Sequence, residues 1–331
     1  MEGFASPYFC HRQLAELGLA HVEFGVRGVH PITHCLRLTE ETRRHATQLR
    51  EVIGPASVEA PVPSRGPTPA LHRTERRSRL TEEGFPMSDV PAVSATPVEY
   101  RHGSSVFEGL LLRGEGPPGP APTVLVFPGM EGRTGGMVDL AKEVVPWGYQ
   151  AFAVDLYGKG VSGSTPAELR SLMQPLMDDR ALLAERLAAV VAAVAALPEV
   201  DASRIAAAGF CFGGLCVLDL ARAGAPVTGV ASFHGVLTPP PAPSGRRIDC
   251  KVAVFHGWDD PFARPDDVTA LADELTSAGA DWQLLAFGGT AHGFMAPTAN
   301  LPALGVMYNA VAARRSWAAA KAFLAECLPE A

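Results

Sequence analysis

Arg204-Ile-Ala-Ala-Ala-Gly-Phe-Cys-Phe-Gly-Gly-Leu-Cys-Val-Leu-Asp-Leu-Ala-Arg222 joins an apolar run to an apolar helix through a cysteine set among glycines. The run to Gly209 reads as a buried strand, and Gly213 to Arg222 as a helix. Between them, Gly209-Phe210-Cys211-Phe212-Gly213-Gly214 is a G-x-S-x-G turn with Cys in the Ser position. Such a turn is tight and strained, so residues two away from its centre must lack side chains for strand and helix to approach. A helix opening at Gly213 aims its amide end at the Cys211 sulfur, a field that favours thiolate. The bland reading is a small buried hydrophobe beside packing glycines. What lies downstream decides against it.

Working outward, continuous apolar strands alternate with helices. Strands are expected at Thr123 to Phe127, Ala151 to Leu156, Val227 to Phe233, Val252 to Phe255 and Trp282 to Phe287. Helices are expected at Gly135 to Trp147, Pro166 to Leu197 (broken near Pro175), Pro265 to Ala278 and Met307 to Leu328. This alternation predicts the α/β class, with a mostly parallel central sheet covered by helices on both faces. Val98 to Arg101 and Ser105 to Arg113, joined by a His102-Gly103 turn, predict an antiparallel pair at one edge.

In such sheets the partners of the nucleophile follow in the order acid, then histidine. His256-Gly257-Trp258-Asp259-Asp260-Pro261 directly follows a strand, and an acid there faces the same crevice as the cysteine turn. Asp259 and Asp260 compete, and the H-G-x-x-D-P spacing points to Asp260. Gly288-Gly289-Thr290-Ala291-His292-Gly293-Phe294 places His292 in a glycine-flanked loop after the next strand. His234 and His256 also end strands but lack that loop context and read as structural. An oxyanion hole needs two backbone N–H groups. Phe212 supplies one, and Met130 in Pro128-Gly129-Met130-Glu131-Gly132-Arg133 the other.

The chain has 331 residues, 47% hydrophobic and 19% charged, which excludes global disorder. A net charge of −7 argues against nucleic acid and anionic membranes as partners. The longest apolar run, Leu187 to Leu197, is too short to span a bilayer, where about 20 residues are needed. With no signal pattern at the N-terminus and six scattered cysteines without a CxxC pair, the expectation is a cytoplasmic protein with reduced thiols. No metal-ligand spacing occurs, so neither metal nor cofactor is expected. Residues 1–86 stand apart, with 11 Arg, 10 Glu, no Lys and no Asp. They read as a poorly ordered N-terminal extension before a domain at 87–331, with one amphipathic helix near Thr39 to Val52. Met87 is a candidate true start.

From about residue 95 onward the sequence resembles the dienelactone hydrolase family of α/β-hydrolases. The matching pieces are Gly-Phe-Cys-Phe-Gly-Gly at 209–214, His-Gly-Trp-Asp-Asp-Pro at 256–261, Ala-His-Gly-Phe at 291–294, and Trp147-Gly148-Tyr149 followed by Val154-Asp155-Leu156-Tyr157-Gly158. The resemblance implies the α/β-hydrolase fold and a Cys211-His292-Asp260 triad. Well-studied members carry a Glu just before the oxyanion residue, where this chain has Gly129. Glu131, two residues on, is the candidate substitute. Of two arginines that hold the substrate carboxylate in the family, one position is Ala296 here, and Arg170 is the nearest candidate for the other. That loss argues against the prototype dienelactone as substrate. The expected activity is hydrolysis of a small-molecule ester or lactone through an acyl-cysteine. The alternatives are a thiol redox protein, with Cys216 as the nearest second thiol, and an idle binding module on the same fold.

Overall fold

The computed structural model describes residues 93–116, 119–241 and 245–329. The expected N-terminal extension, its helix and Met87 lie outside the described residues. An eight-stranded sheet runs through the domain in the order β1-β2-β4-β3-β5-β6-β7-β8. Its strands are β1 (Ser94–His102), β2 (Ser105–Arg113), β3 (Ala121–Phe127), β4 (Gln150–Ala153), β5 (Val200–Phe210), β6 (Gly229–Phe233), β7 (Lys251–Gly257) and β8 (Trp282–Phe287). The first two form the expected antiparallel edge pair, β2 also runs antiparallel to β4, and every later pairing is parallel.

The apolar runs are continuous because both faces of the sheet are covered. On one face, α2 (Pro166–Asp178), α3 (Arg180–Ala195), α4 (Phe212–Ala223) and α5 (Pro265–Ser277) pack Leu176, Leu187, Leu215 and Leu271 into a core with Leu125 and Val254. On the other, α1 (Gly135–Lys142) and α6 (Ala310–Cys327) bring Met137, Ala141, Phe323 and Leu324 against Val124, Phe233 and Phe255.

Several boundaries differ from expectation, each for a local reason. The helix expected to reach Trp147 stops at Lys142, and Val145–Trp147 forms a 3-10 turn, since Pro146 has no N–H to continue the ladder. Pro175 is tolerated inside α2. The break falls at Asp179, whose side chain accepts the Leu182 N–H at 2.9 Å and caps α3. Strand β4 ends at Ala153 instead of Leu156, because the Asp155 carboxylate collects the N–H groups of Glu108, Tyr157 and Gly158 and turns the chain. The last helix opens at Ala310, capped by Asn309. Met307 instead lies in β10 (Val306–Met307), which pairs with β9 (Asn300–Leu301).

A buried ion network ties three of the helices together. Arg180 grips Asp219 through Nε at 2.8 Å and Nη2 at 2.6 Å, Arg222 reaches the same carboxylate at 3.1 Å, and Arg222 continues to Glu274 at 2.7 Å. The side chains of Arg180, Asp219 and Arg222 are 6%, 6% and 7% exposed, so removing one partner strands charge in low dielectric. Asp219→Ala is expected to lower the unfolding free energy by about 3–5 kcal/mol. Urea denaturation checks this, and a loss below about 1 kcal/mol would mean that the network is well hydrated.

Candidate active site

Cys211 sits at the junction of β5 and α4 with φ 54° and ψ −114°, a positive-φ conformation rare for a residue with a side chain. Its N–H donates to the Phe233 carbonyl at 3.1 Å, and its carbonyl accepts from Gly214 at 3.0 Å. The flanking glycines are a packing requirement. A Cβ on Gly209 would collide with the Gly213 carbonyl, one on Gly213 with the Phe127 carbonyl, and one on Gly214 would lie 2.6 Å from the Gly235 Cα. The backbones of β3, β5 and α4 thus meet where the sulfur emerges, half-buried.

The structure brings His292 and Asp260 to this point. His292 Nδ1 lies 2.7 Å from Asp260 Oδ2, and the imidazole lies close enough to the Cys211 side chain to feel its charge. Asp260 Oδ1 accepts the Phe262 N–H at 2.8 Å, so both carboxylate oxygens are held. Asp259 is exposed, with its N–H donating to the Thr290 carbonyl, and takes no part in the cluster. The His292 ring is sandwiched edge-on between His234 at 5.0 Å and Phe262 at 4.8 Å. Its backbone is fixed by β9–β10: His292 N–H donates to Gly305 and Met307 N–H to His292, both at 2.9 Å.

The electrostatics separate three histidines. Burial alone would strip the proton from His292, but the Cys211 sulfur and the Asp260 carboxylate outweigh it and push the group up to about 10. Burial holds His234 and His256 below the ordinary histidine range, His234 with Nδ1 and His256 with Nε2 unpartnered among the described residues. His256 accordingly reads as structural. His234, which follows β6, packs its ring against that of His292.

The other expected residues divide. The N–H groups of Met130 and Phe212 have no acceptor among the described residues, and the Met130 carbonyl accepts the Tyr157 hydroxyl at 2.9 Å. Glu131 folds back over Gly129, where a Cβ would lie 2.5 Å from its Oε2, so its carboxyl fills the space a side chain at 129 would take. Burial raises Glu131 above the usual carboxylate range, partly offset by its own backbone and by His292. Arg170 lies half-buried on α2 and is not among the residues lining the cavity beside that helix. That cavity, about 190 Å³, is lined by Tyr157, Ser171, Leu172, Pro175, Leu176 and Arg186. Sequence reading gave no role to Tyr157 or Arg186. The only available signal was Tyr157's place in the Asp155-Leu156-Tyr157-Gly158 segment.

The family model that matches is described as the dienelactone hydrolase family and spans residues 107–328. The chain belongs to that family. It is a carboxylic ester hydrolase with the α/β-hydrolase fold. A solved dienelactone hydrolase-like promiscuous phosphotriesterase from metagenomic libraries is 38% identical with TM-score 0.68, covering 71% of this chain and 99% of that one. An uncharacterized protein of Caenorhabditis elegans is 37% identical over 152 residues, 45% of this chain and 96% of its own. A Synechocystis protein named as a candidate carboxymethylenebutenolidase is 27% identical over 214 residues, 60% of this chain and 83% of its own. Among the described residues no helix is long and apolar enough to cross a membrane.

The raised His292 value carries a sign. Folding raises it above the unfolded value of roughly 6.5. Its share of stability is therefore complete below about 6.5 and is lost as pH rises through about 10. In an NMR titration, His292 is expected to stay protonated well above neutral pH in the wild type and to titrate lower in Asp260→Asn. The same variant should flatten the alkaline loss of stability, and equal titration of the two proteins would remove Asp260 as the cause.

Proposed function

We propose that the chain hydrolyses carboxylic esters or lactones through an acyl-cysteine at Cys211. The observation that carries this reading is the continuous contact from Asp260 Oδ2 through the His292 imidazole to the Cys211 side chain, with Asp260 Oδ2 2.7 Å from Nδ1. Cys211 passes its proton to His292, which frees the sulfur as the nucleophile. The sulfur attacks the carbonyl carbon, and the N–H groups of Phe212 and Met130 bind the oxyanion. Collapse breaks the bond to the leaving oxygen, which takes the His292 proton and departs as an alcohol, or stays attached where the substrate is a lactone. Neutral His292 then takes a proton from water, and the hydroxide attacks the thioester. Release of the acid returns thiolate and imidazolium, while Asp260 fixes the ring's tautomer and orientation throughout.

The redox alternative is disfavoured by Cys216, which is fully buried in α4 and held in its thiol form by that burial. A binding module without chemistry would not need a strained cysteine facing a protonated histidine.

The test is p-nitrophenyl butyrate turnover by wild type, Cys211→Ala and Cys211→Ser, with mass spectrometry of a quenched reaction. A butyryl group on Cys211 and a loss of at least about a thousandfold in Cys211→Ala are expected. Turnover retained in Cys211→Ala would overturn the reading.

The 38% identity to a promiscuous phosphotriesterase extends the proposal to phosphotriesters, in which the same thiolate attacks phosphorus and the same N–H pair holds the phosphoryl oxygen. Release of p-nitrophenol from paraoxon, abolished in Cys211→Ala, is the expected result. No release would confine the site to carbonyl carbon.

A further inference from the structure

Arg186 enters the wall of the 190 Å³ cavity as a cation with no carboxylate in ion-pair distance among the described residues. Arg133, Arg180, Arg204 and Arg222 each hold an acid directly. Arg186 instead donates from Nη1 to the Leu156 carbonyl at 2.7 Å and lies 5.3 Å from the centre of the Phe107 ring. Its Nε is buried without a partner. The Asp155 carboxylate acts on it only through space, because its oxygens are taken by the N–H groups of Glu108, Tyr157 and Gly158. Leu172, Pro175 and Leu176 make much of the lining apolar, a setting in which a guanidinium gains most from an anionic partner.

One residue of the cavity wall, Tyr157, follows a strand at the same end of the sheet as the sulfur. Leu156 and Tyr157 follow β4, Met130 follows β3 and Cys211 ends β5, and these three strands are neighbours. Tyr157 is the partition. It lines the cavity, hydrogen-bonds the Met130 carbonyl and feels the charges of Cys211 and Glu131.

We propose that this cavity receives a carboxylate at the far end of an elongated ester or lactone, and that Arg186 binds it as the specificity-determining residue. Arg186 occupies neither position at which the family resemblance sought an anchor, Ala296 and Arg170. The inference rests on the hydrolase reading of Cys211 for its kinetic test, and a binding measurement keeps the two separable.

The kinetic test uses mono-p-nitrophenyl esters of dicarboxylic acids from succinate to azelate, each beside its methyl-capped neutral counterpart. In wild type, kcat/KM for the long anionic esters is expected to exceed that of the neutral ones at least tenfold, mainly through KM. Arg186→Gln, which removes the charge and keeps a polar side chain, should bring the ratio near one, and Arg186→Lys should restore part of it. Ser171→Asp, a surface change on the cavity wall, should push the ratio below one. Equal ratios in wild type and Arg186→Gln across the series, with the neutral esters turned over, would overturn this inference and leave the hydrolase reading intact. If no ester is turned over, the hydrolase reading fails. Calorimetry of azelate with Cys211→Ala and with the Cys211→Ala, Arg186→Gln double variant then reads the cavity alone. At least tenfold weaker binding to the double variant supports the anion site, and no difference overturns it.

Discussion

Three backbones converge at Cys211 with no space between them for a side chain. The carbonyls of Phe127 and Gly213 and the Cα of Gly235 occupy the places where Cβ atoms of residues 213, 209 and 214 would stand. This contact forces the reversal from β5 into α4 within one residue and leaves Cys211 at φ 54°. Strain of that kind costs on the order of 1–3 kcal/mol and persists only where surroundings over-determine it. Here the parallel pairings of β5 with β3 and β6 and the apolar burial of α4 do so. The same contact brings the start of α4, which carries Phe212, against the end of β3 and the loop that carries Met130.

Around that point, burial would leave every imidazole neutral, as it does His234 and His256. His292 departs from its neighbours because it alone faces both a sulfur and a carboxylate whose second oxygen is already tied to the Phe262 N–H. The neutral His234 edge against its ring adds no favourable charge and restricts rotation. Proton affinity is therefore decided by pairwise contacts made in a dry site, where such contacts are strong.

The parts of this arrangement legible in sequence are those with a local geometric cause. Glycines around Cys211, a proline-terminated acidic turn at Asp260 and a glycine-flanked His292 each encode a backbone shape, and the structure places all three side chains together. The order of continuous apolar strands likewise specified a buried parallel sheet. Less legible were effects that depend on distant partners. Asp155 ends β4 early by gathering N–H groups from β2 as well as from its own turn. Glu131 fills the side-chain space over Gly129 from two residues away, which a position-by-position comparison misses. Arg186 is one of two arginines on α3 until the α2 residues and Tyr157 that share its cavity are seen.

Acid and base arrive from separate loops, yet they do not move separately. A Cβ on Gly257 would lie 2.5 Å from the Thr290 carbonyl, and one on Gly305 would lie 2.6 Å from Pro261 Cγ. The Asp259 N–H bonds Thr290, and the His292 N–H bonds Gly305. The acidic turn therefore presses on the histidine loop at one end and on the β9–β10 hairpin at the other. The hairpin in turn holds the histidine backbone from both sides. A displacement of any one of the three segments must carry the others, so the 2.7 Å Asp260–His292 bond is kept by backbone interlock as well as by charge. This explains why glycines recur outside the cysteine turn in the same crevice. Gly257 and Gly305 are the surfaces along which the loops lock, and the geometry of the acid–base pair depends on their lack of side chains.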